Sequence, residues 1–363
     1  MARHTHGGNI YQYGNVLDFS ANLNPLGMPE LVRRAAVSGA MRAEHYPEPD
    51  CAELRERIGR RLGVGTGQVI CGNGATELIF LAAAAIRPRR ALLLAPTYAE
   101  YEEAFSAYGC ECRYHFLREK DGFLPGEDFL EAVTGDYDLV AVCNPNNPTG
   151  LLLERDFVGR LLERCREAGS ILFLDESFME LTGKKEAASA EPFLRSEQLF
   201  LLRSMTKTYA MAGLRLGYAV SGNRGLVDDM YRYKPSWNVS IPAQAAGEAA
   251  SSEAEYLARS VLYIGKERQF LLDGLAAFPV RVYPGAANYL FFSCGREDLR
   301  EAFLEQGILI RDCGNYRGLK AGYYRVAVRT HAENQQLLHV FGQVFGKDDT
   351  FRRLRNSKTC RIF

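Results

Sequence analysis

The sequence predicts an α/β fold: a mostly parallel sheet covered by helices on both faces, joined to a smaller α+β module. Three observations carry this. Short, continuously apolar runs alternate with helical patterns between residues 69 and 202. Most of these runs stop abruptly at Pro, Gly, Asn or Asp. From about Pro242 the texture changes to a long helical stretch followed by short strand-like runs. A chain of 363 residues is long enough for two such units.

Val69-Ile70-Cys71 reads as a strand running into Gly72-Asn73-Gly74-Ala75-Thr76-Glu77 and then an apolar helix. Residues 63–67, before it, read as a turn. Ala91–Ala95 is a buried strand stopped by Pro96, and Asp138–Cys143 another, stopped by Asn144-Pro145. Ile171–Leu174 ends on Asp175-Glu176, and Leu199–Leu202 ends near Ser204. Between them, Glu154–Ala168 sets Phe157, Leu161, Leu162 and Cys165 at helical spacing. The second unit reads as one helical stretch over Ala243–Ala277, strands Val280–Tyr283 and Asn288–Ser293, and helix Glu297–Gln306. Strands Ile308–Arg311 and Tyr324–Val328 and helix Ala332–Phe345 complete it. The expected division is an N-terminal arm, 1–44, joining the small domain; a large domain, 45–241; a small domain, 242–346; and a basic tail, 347–363.

Composition excludes several classes. Lys+Arg and Asp+Glu number 44 each, so the chain lacks the basic footprint of a nucleic-acid binder. The longest apolar run, Leu78–Ile86, is far short of the roughly 20 residues that span a bilayer. The first eight residues carry no apolar signal core. Nine scattered cysteines without a CxxC pair read as reduced thiols in a cytoplasm.

In an open parallel sheet, ligands bind beyond the carboxyl ends of the strands, and the informative residues sit there. Gly72–Glu77 leaves a strand and opens a helix, where free N–H groups hold an anion such as phosphate. It is neither a P-loop, since no GKS/T follows, nor a dinucleotide fingerprint, since Glu77 stands where the third glycine would be. In the irregular loop Asn144–Gly150, Asn147 offers an amide. A carboxylate at Asp175, ending an apolar strand, needs a cation or donors. Lys207, in Ser204-Met205-Thr206-Lys207, suits a Schiff base, and the hydroxyls with Arg215 suit a phosphate.

The set GNGATE, NPNNPTG, DES and SMTK…GLRLGY, in this order, resembles the fold-type-I pyridoxal-phosphate enzymes of the aminotransferase class I/II group, over about residues 6–345. The resemblance implies a seven-stranded-type large sheet and a homodimer with active sites at the subunit interface. It makes Lys207 the Schiff-base lysine, pairs Asp175 with the ring nitrogen and Asn147 with the phenolic oxygen, and stacks Tyr98 on the ring. Gly74, Ala75, Thr76, Ser204, Thr206 and Arg215 would hold the cofactor phosphate, and Tyr46 would reach the phosphate of the neighbouring subunit. One departure is Phe178, where many aminotransferases carry a tyrosine as a second donor to the phenolic oxygen. The expectation is that Asn147 serves that oxygen alone.

The catalytic residues do not name the reaction, because the protein chooses it by which bond at Cα stands perpendicular to the ring, a positioning effect worth roughly 7–11 kcal/mol. The flanks discriminate. His6-Gly7-Gly8-Asn9, the run Asp18–Gly27, Pro235–Val239, Arg311–Leu319 and Tyr324–Thr330 resemble the threonine-phosphate decarboxylases of the cobalamin pathway. By that resemblance Asn22, Asn147, Arg311 and Arg325 meet the substrate, Arg325 taking the carboxylate, with His6, Gly7 and Gly8 closing over its phosphate. Arg317 and Arg329 are further candidates. The tail has only Cys360 and no His after His339, so no metal site is expected from it. The implied reaction is decarboxylation of L-threonine O-3-phosphate, with O-phosphoserine as a second substrate. The alternatives are a histidinol-phosphate-type aminotransferase and a non-catalytic sensor on the same fold.

Overall fold

A computed structural model describes residues 7–346. His6 and the basic tail lie outside them. The first strand, β1 (Leu17–Asp18), belongs to the N-terminal arm. Seven strands follow: β2 (Val69–Asn73), β3 (Arg90–Ala95), β4 (Glu111–Phe116), β5 (Leu139–Cys143), β6 (Ile171–Asp175), β7 (Leu199–Ser204) and β8 (Leu216–Ser221). They form one sheet in the order β2-β8-β7-β6-β5-β3-β4. Only β8 runs antiparallel to its neighbours. A second, antiparallel sheet, ordered β12-β13-β10-β9, is built from β9 (Val280–Val282), β10 (Tyr289–Cys294), β12 (Arg311–Asp312) and β13 (Tyr323–Ala327). Between them β11 (Ile308–Leu309) pairs in parallel with β1, tying the arm to this half.

The large sheet is apolar on both faces, as a sheet covered on both sides must be. Leu92, Leu94, Val140, Val142, Leu172 and Leu174 pack on one face. Ala91, Leu93, Leu139, Ala141, Phe173 and Phe200 pack on the other. Each fully buried Leu, Val or Phe is worth roughly 1.5–3 kcal/mol. A third core, with Phe19 from the arm and Phe292, Phe303 and Phe341, lies under the small sheet. Strands β2, β3, β5, β6 and β7 all end on one edge, and the candidate residues follow those ends.

Four details differ from the sequence reading. The edge strand β4 was not expected: its residues are only partly buried and include Glu111 and Arg113, so it has no apolar run. Strand β8 was hidden inside the GLRLGY motif. The stretch 243–277 is two helices, Ile241–Ala250 and Ala254–Leu275, broken at Ser251-Ser252-Glu253. The Ser251 hydroxyl donates to the Glu248 carbonyl, a local bond that competes with helix continuation. Residues 308–311 divide between β11 and β12, which join different sheets. Among the described residues no helix is long and apolar enough to cross a membrane.

Candidate active site

At the strand ends lies a cavity of about 450 Å³. Lys207 enters it from the short helix Met205–Thr208 that follows β7. Its Nζ donates to Ser204 Oγ (3.3 Å) and lies 5.9 Å from the centre of the Phe178 ring. Burial pushes this amine below its ordinary value, and the nearby Arg215 adds to the effect, while Asp175 opposes it. A neutral amine is the nucleophilic form.

Asp175 ends β6 and is nearly inaccessible. Its Oδ1 accepts from the Ser177 backbone N–H (2.8 Å) and its Oδ2 from the Tyr101 hydroxyl (2.7 Å). The buried carboxylate therefore has donors on both oxygens. Tyr98 lines the same cavity, its ring edge-on to Tyr101 at 5.6 Å.

The anion cup is formed at the N-terminus of the helix Ala75–Ile86. Ala75, Thr76, Thr206 and Arg215 line the cavity, with Ser204 just behind, its Oγ 2.7 Å from Thr206 Oγ1. Gly74 is required here: its φ is +82°, and a Cβ would fall 2.6 Å from Arg215 Nη2. Gly217 on β8 is required too, since a Cβ there would lie 2.6 Å from the Ala75 nitrogen. The two glycines let strand, helix start and guanidinium converge.

Asn147 and Arg325 meet on the opposite wall. Arg325 donates through Nη1 to Asn147 Oδ1 and through Nη2 to the Ser20 carbonyl (2.8 Å). The Asn22 amide, turned to present its oxygen, accepts from Arg325 Nε and Nη1 at 3.3 and 3.2 Å. Tyr316 adds a donor to Asn147 Oδ1 (3.1 Å). With its oxygen taken twice, Asn147 has its NH2 left to donate. Gly7 and Gly8 also line the cavity, and the Gly8 N–H donates to Ser20 Oγ (2.7 Å). A Cβ on Gly7 would fall 2.4 Å from the Ser20 carbonyl oxygen.

Other candidates stand elsewhere. Arg311 is stacked on the Tyr316 ring behind the cavity wall and donates to the Asp312 carbonyl and Asn315. Arg317 pairs with Glu102, and Arg329 with Glu333. Tyr46 is exposed and stacked on Trp237, with ring centres 4.5 Å apart, away from the chain's own cavity. Among the described residues no cluster of His, Cys, Asp or Glu could hold a metal ion. Tyr101, Tyr316 and Ser20 were not singled out from sequence. Tyr101 carried one usable signal, standing three residues after Tyr98, at the start of the helix Glu100–Ala107.

The donor set fits a phosphorylated pyridine aldehyde such as pyridoxal phosphate. The cavity holds an amine of lowered basicity, a doubly anchored carboxylate, an amide donor and a glycine-shaped anion cup at a helix start. The chain matches aminotransferase class I and II over residues 14–341. It is 41% identical to threonine-phosphate decarboxylase of Salmonella typhimurium, over 92% of this chain and 94% of that one. Among solved structures, it resembles the histidinol-phosphate aminotransferase of Clostridium acetobutylicum (TM-score 0.85, 28% identity, 91% and 99% of the two chains). It also resembles the L-threonine-O-3-phosphate decarboxylase of Porphyromonas gingivalis (TM-score 0.79, 27% identity, 92% and 100% of the two chains). A family match over most of the chain and a relative this similar over more than nine-tenths of both chains lead to one conclusion: the chain belongs to the aminotransferase class I and II family.

Proposed function

We propose that the protein is a pyridoxal-phosphate-dependent decarboxylase that converts L-threonine O-3-phosphate to (R)-1-aminopropan-2-yl phosphate and CO2, for the cobalamin side chain. The observation that carries the reading is the placement of Arg325 in the same cavity as Lys207, held by Asn22, Asn147 and Ser20 beside the Gly7–Gly8 strap. The similarity to the Salmonella decarboxylase supports it.

When bound, pyridoxal phosphate supplies an electron sink for the bond broken at Cα. The chain's residues do the rest. Lys207 is the covalent anchor of the cofactor. Asp175 keeps a proton on the ring nitrogen. Thr76, Ser204, Thr206, Arg215 and the Ala75–Ile86 helix start hold the cofactor phosphate, and Tyr98 covers the ring. The Arg325 guanidinium binds the substrate carboxylate and sets which Cα bond is broken. Decarboxylation would require one proton to be returned to Cα; Lys207, whose side chain faces the cavity, would take that proton from the incoming substrate ammonium and deliver it there. O-phosphoserine is a second substrate, since one methyl discriminates by only about 1–3 kcal/mol.

A second reading, transamination of a phosphorylated substrate, draws on the likeness to the Clostridium aminotransferase. Purified, cofactor-loaded protein given L-threonine O-3-phosphate should release CO2. Given L-histidinol phosphate with 2-oxoglutarate it should form no glutamate. Glutamate without CO2 would replace the first reading by the second. The sensor alternative has no support from a site in which Lys207 faces the cavity.

The protein is proposed to work as a cytoplasmic homodimer, with the exposed Tyr46–Trp237 stack reaching the partner's phosphate cup. Mixing inactive Lys207→Ala with Tyr46→Phe subunits tests this, because mixed dimers should carry one site free of both substitutions.

A further inference from the structure

Tyr101 belongs to the helix Glu100–Ala107, outside the motifs that carry the site. It is fully buried, yet its hydroxyl reaches the cavity and donates to Asp175 Oδ2 at 2.7 Å. The other carboxylate oxygen is bound by the Ser177 backbone N–H, which no side-chain change removes. Tyr101 is thus the side chain that fixes the carboxylate's rotation. Its ring is locked in turn, edge-on to Tyr98 at 5.6 Å and to Phe173 at 5.8 Å. Burial and the Asp175 charge push the phenol well above its ordinary value, so it stays protonated and keeps its O–H to donate to Asp175.

We infer that Tyr101 is a positioning residue of this site: it aims the Asp175 carboxylate at the cofactor ring nitrogen and ties it rigidly to Tyr98, which covers the ring. The inference rests on the cofactor reading of Asp175 given above. Outer partners that orient a metal ligand typically alter binding or rate by about 10–100-fold when removed, and an effect at the lower end of that range is expected for this carboxylate.

The test is a double-mutant cycle on the full chain with Tyr101→Phe, Asp175→Asn and both together. The phenylalanine keeps the ring and its edge contacts and removes only the donor. Two quantities are read: the Kd for pyridoxal phosphate, from the visible absorbance of stripped protein, and kcat against KM for CO2 release. Tyr101→Phe alone should raise the Kd about tenfold and lower kcat about tenfold with KM nearly unchanged. In the Asp175→Asn background the same change should move both by less than about twofold. Equal effects in both backgrounds, or none in the parent, would overturn the inference, since Tyr101 would then act by packing or not at all. If Asp175→Asn alone leaves Kd and kcat at parent values, the reading of Asp175 fails, and this inference fails with it. Thermal melting checks that each variant folds. Should Tyr101→Phe not fold, Tyr101→Gln, which retains a donor, takes its place and should give intermediate values; values matching the parent or a complete loss would count against the inference.

Discussion

The two walls of the cavity are made in different ways. The wall carrying Lys207, Asp175 and the anion cup is assembled from the ends of strands in one buried sheet, each residue following an apolar run. The wall carrying Arg325 is assembled from Gly7–Asn22, Asn147, and Tyr316 with Arg325, segments far apart in the chain that meet through the backbone bonds of the arm to the small sheet and through side chains around Arg325. The first wall is built on one backbone hydrogen-bond lattice: Asp175 and Ser204 end strands of the large sheet, and Lys207, Ala75 and Thr76 lie on the helices that follow such ends. The second adds to its backbone pairings a cluster of polar side-chain contacts centred on Arg325. The difference suggests that the cofactor end sets what chemistry is available and the other end sets which substrate and which bond receive it.

The largest expected effect is at the first wall. Lys207→Ala should lower kcat by at least about 10⁴-fold, because a tethered amine has an effective concentration no free amine matches. Its visible absorption band on cofactor addition should vanish; an unchanged band would remove Lys207 from the mechanism. Next comes the second wall. Arg325→Lys removes the planar guanidinium that Asn22, Asn147 and Ser20 hold and weakens a charge-assisted contact to the carboxylate, at a cost of about 1.5–3 kcal/mol. We expect kcat/KM to fall about 10- to 100-fold, mainly through KM, with cofactor affinity intact. A matching loss of cofactor affinity, passed on through Asn147, would break the division between the walls. Gly7→Ala should push the Gly7–Gly8 segment off Ser20, since the added Cβ would fall 2.4 Å from the Ser20 carbonyl oxygen and the N-terminal segment can move away. Steady-state rates should drop up to about tenfold without a change in melting temperature; unchanged rates would detach the strap from the site.

The smallest effect concerns pH. Without cofactor, Lys207 has a lowered affinity for its proton relative to its ordinary value of 10.5. Between the lowered and ordinary values the unfolded chain holds more protons than the folded one, so stability rises with pH across that window. Below the lowered value the penalty is fully present, and near 10.5 it is gone. Stripped Lys207→Met protein should therefore melt above the stripped parent at neutral pH, with the gap closing as pH approaches 10.5. A gap independent of pH would mean that the methionine acts through packing.

The same contrast explains what was legible in the sequence. Lys207, Asp175, Asn147 and Thr76 sit in contiguous motifs whose strand, turn and helix signals are local. Tyr101 acts on a partner 74 residues away, and Tyr316 on one 169 residues away. No local spacing encodes such a contact. In the fold, the buried strands were readable because both faces are apolar. The edge strand β4 was not, because its exposed positions interrupt the apolar run. Strand β8 was overlooked because its opening residues belong to the GLRLGY motif and its glycine answers to the site, with Gly217 passing beneath Ala75.

The pairing of Leu17 with Ile308 also sets an order of events during synthesis. The arm is among the first segments made, but its partner strand comes 291 residues later. At 5–20 residues per second that is a wait of roughly 15–60 s. For that interval Phe19, which ends fully buried, has no core to enter. The large sheet can close meanwhile, since its last strand ends at Ser221. A nascent chain arrested before residue 308 should therefore keep its first twenty residues open to protease while the sheet is already protected. The substrate wall would be the last part of the enzyme to exist.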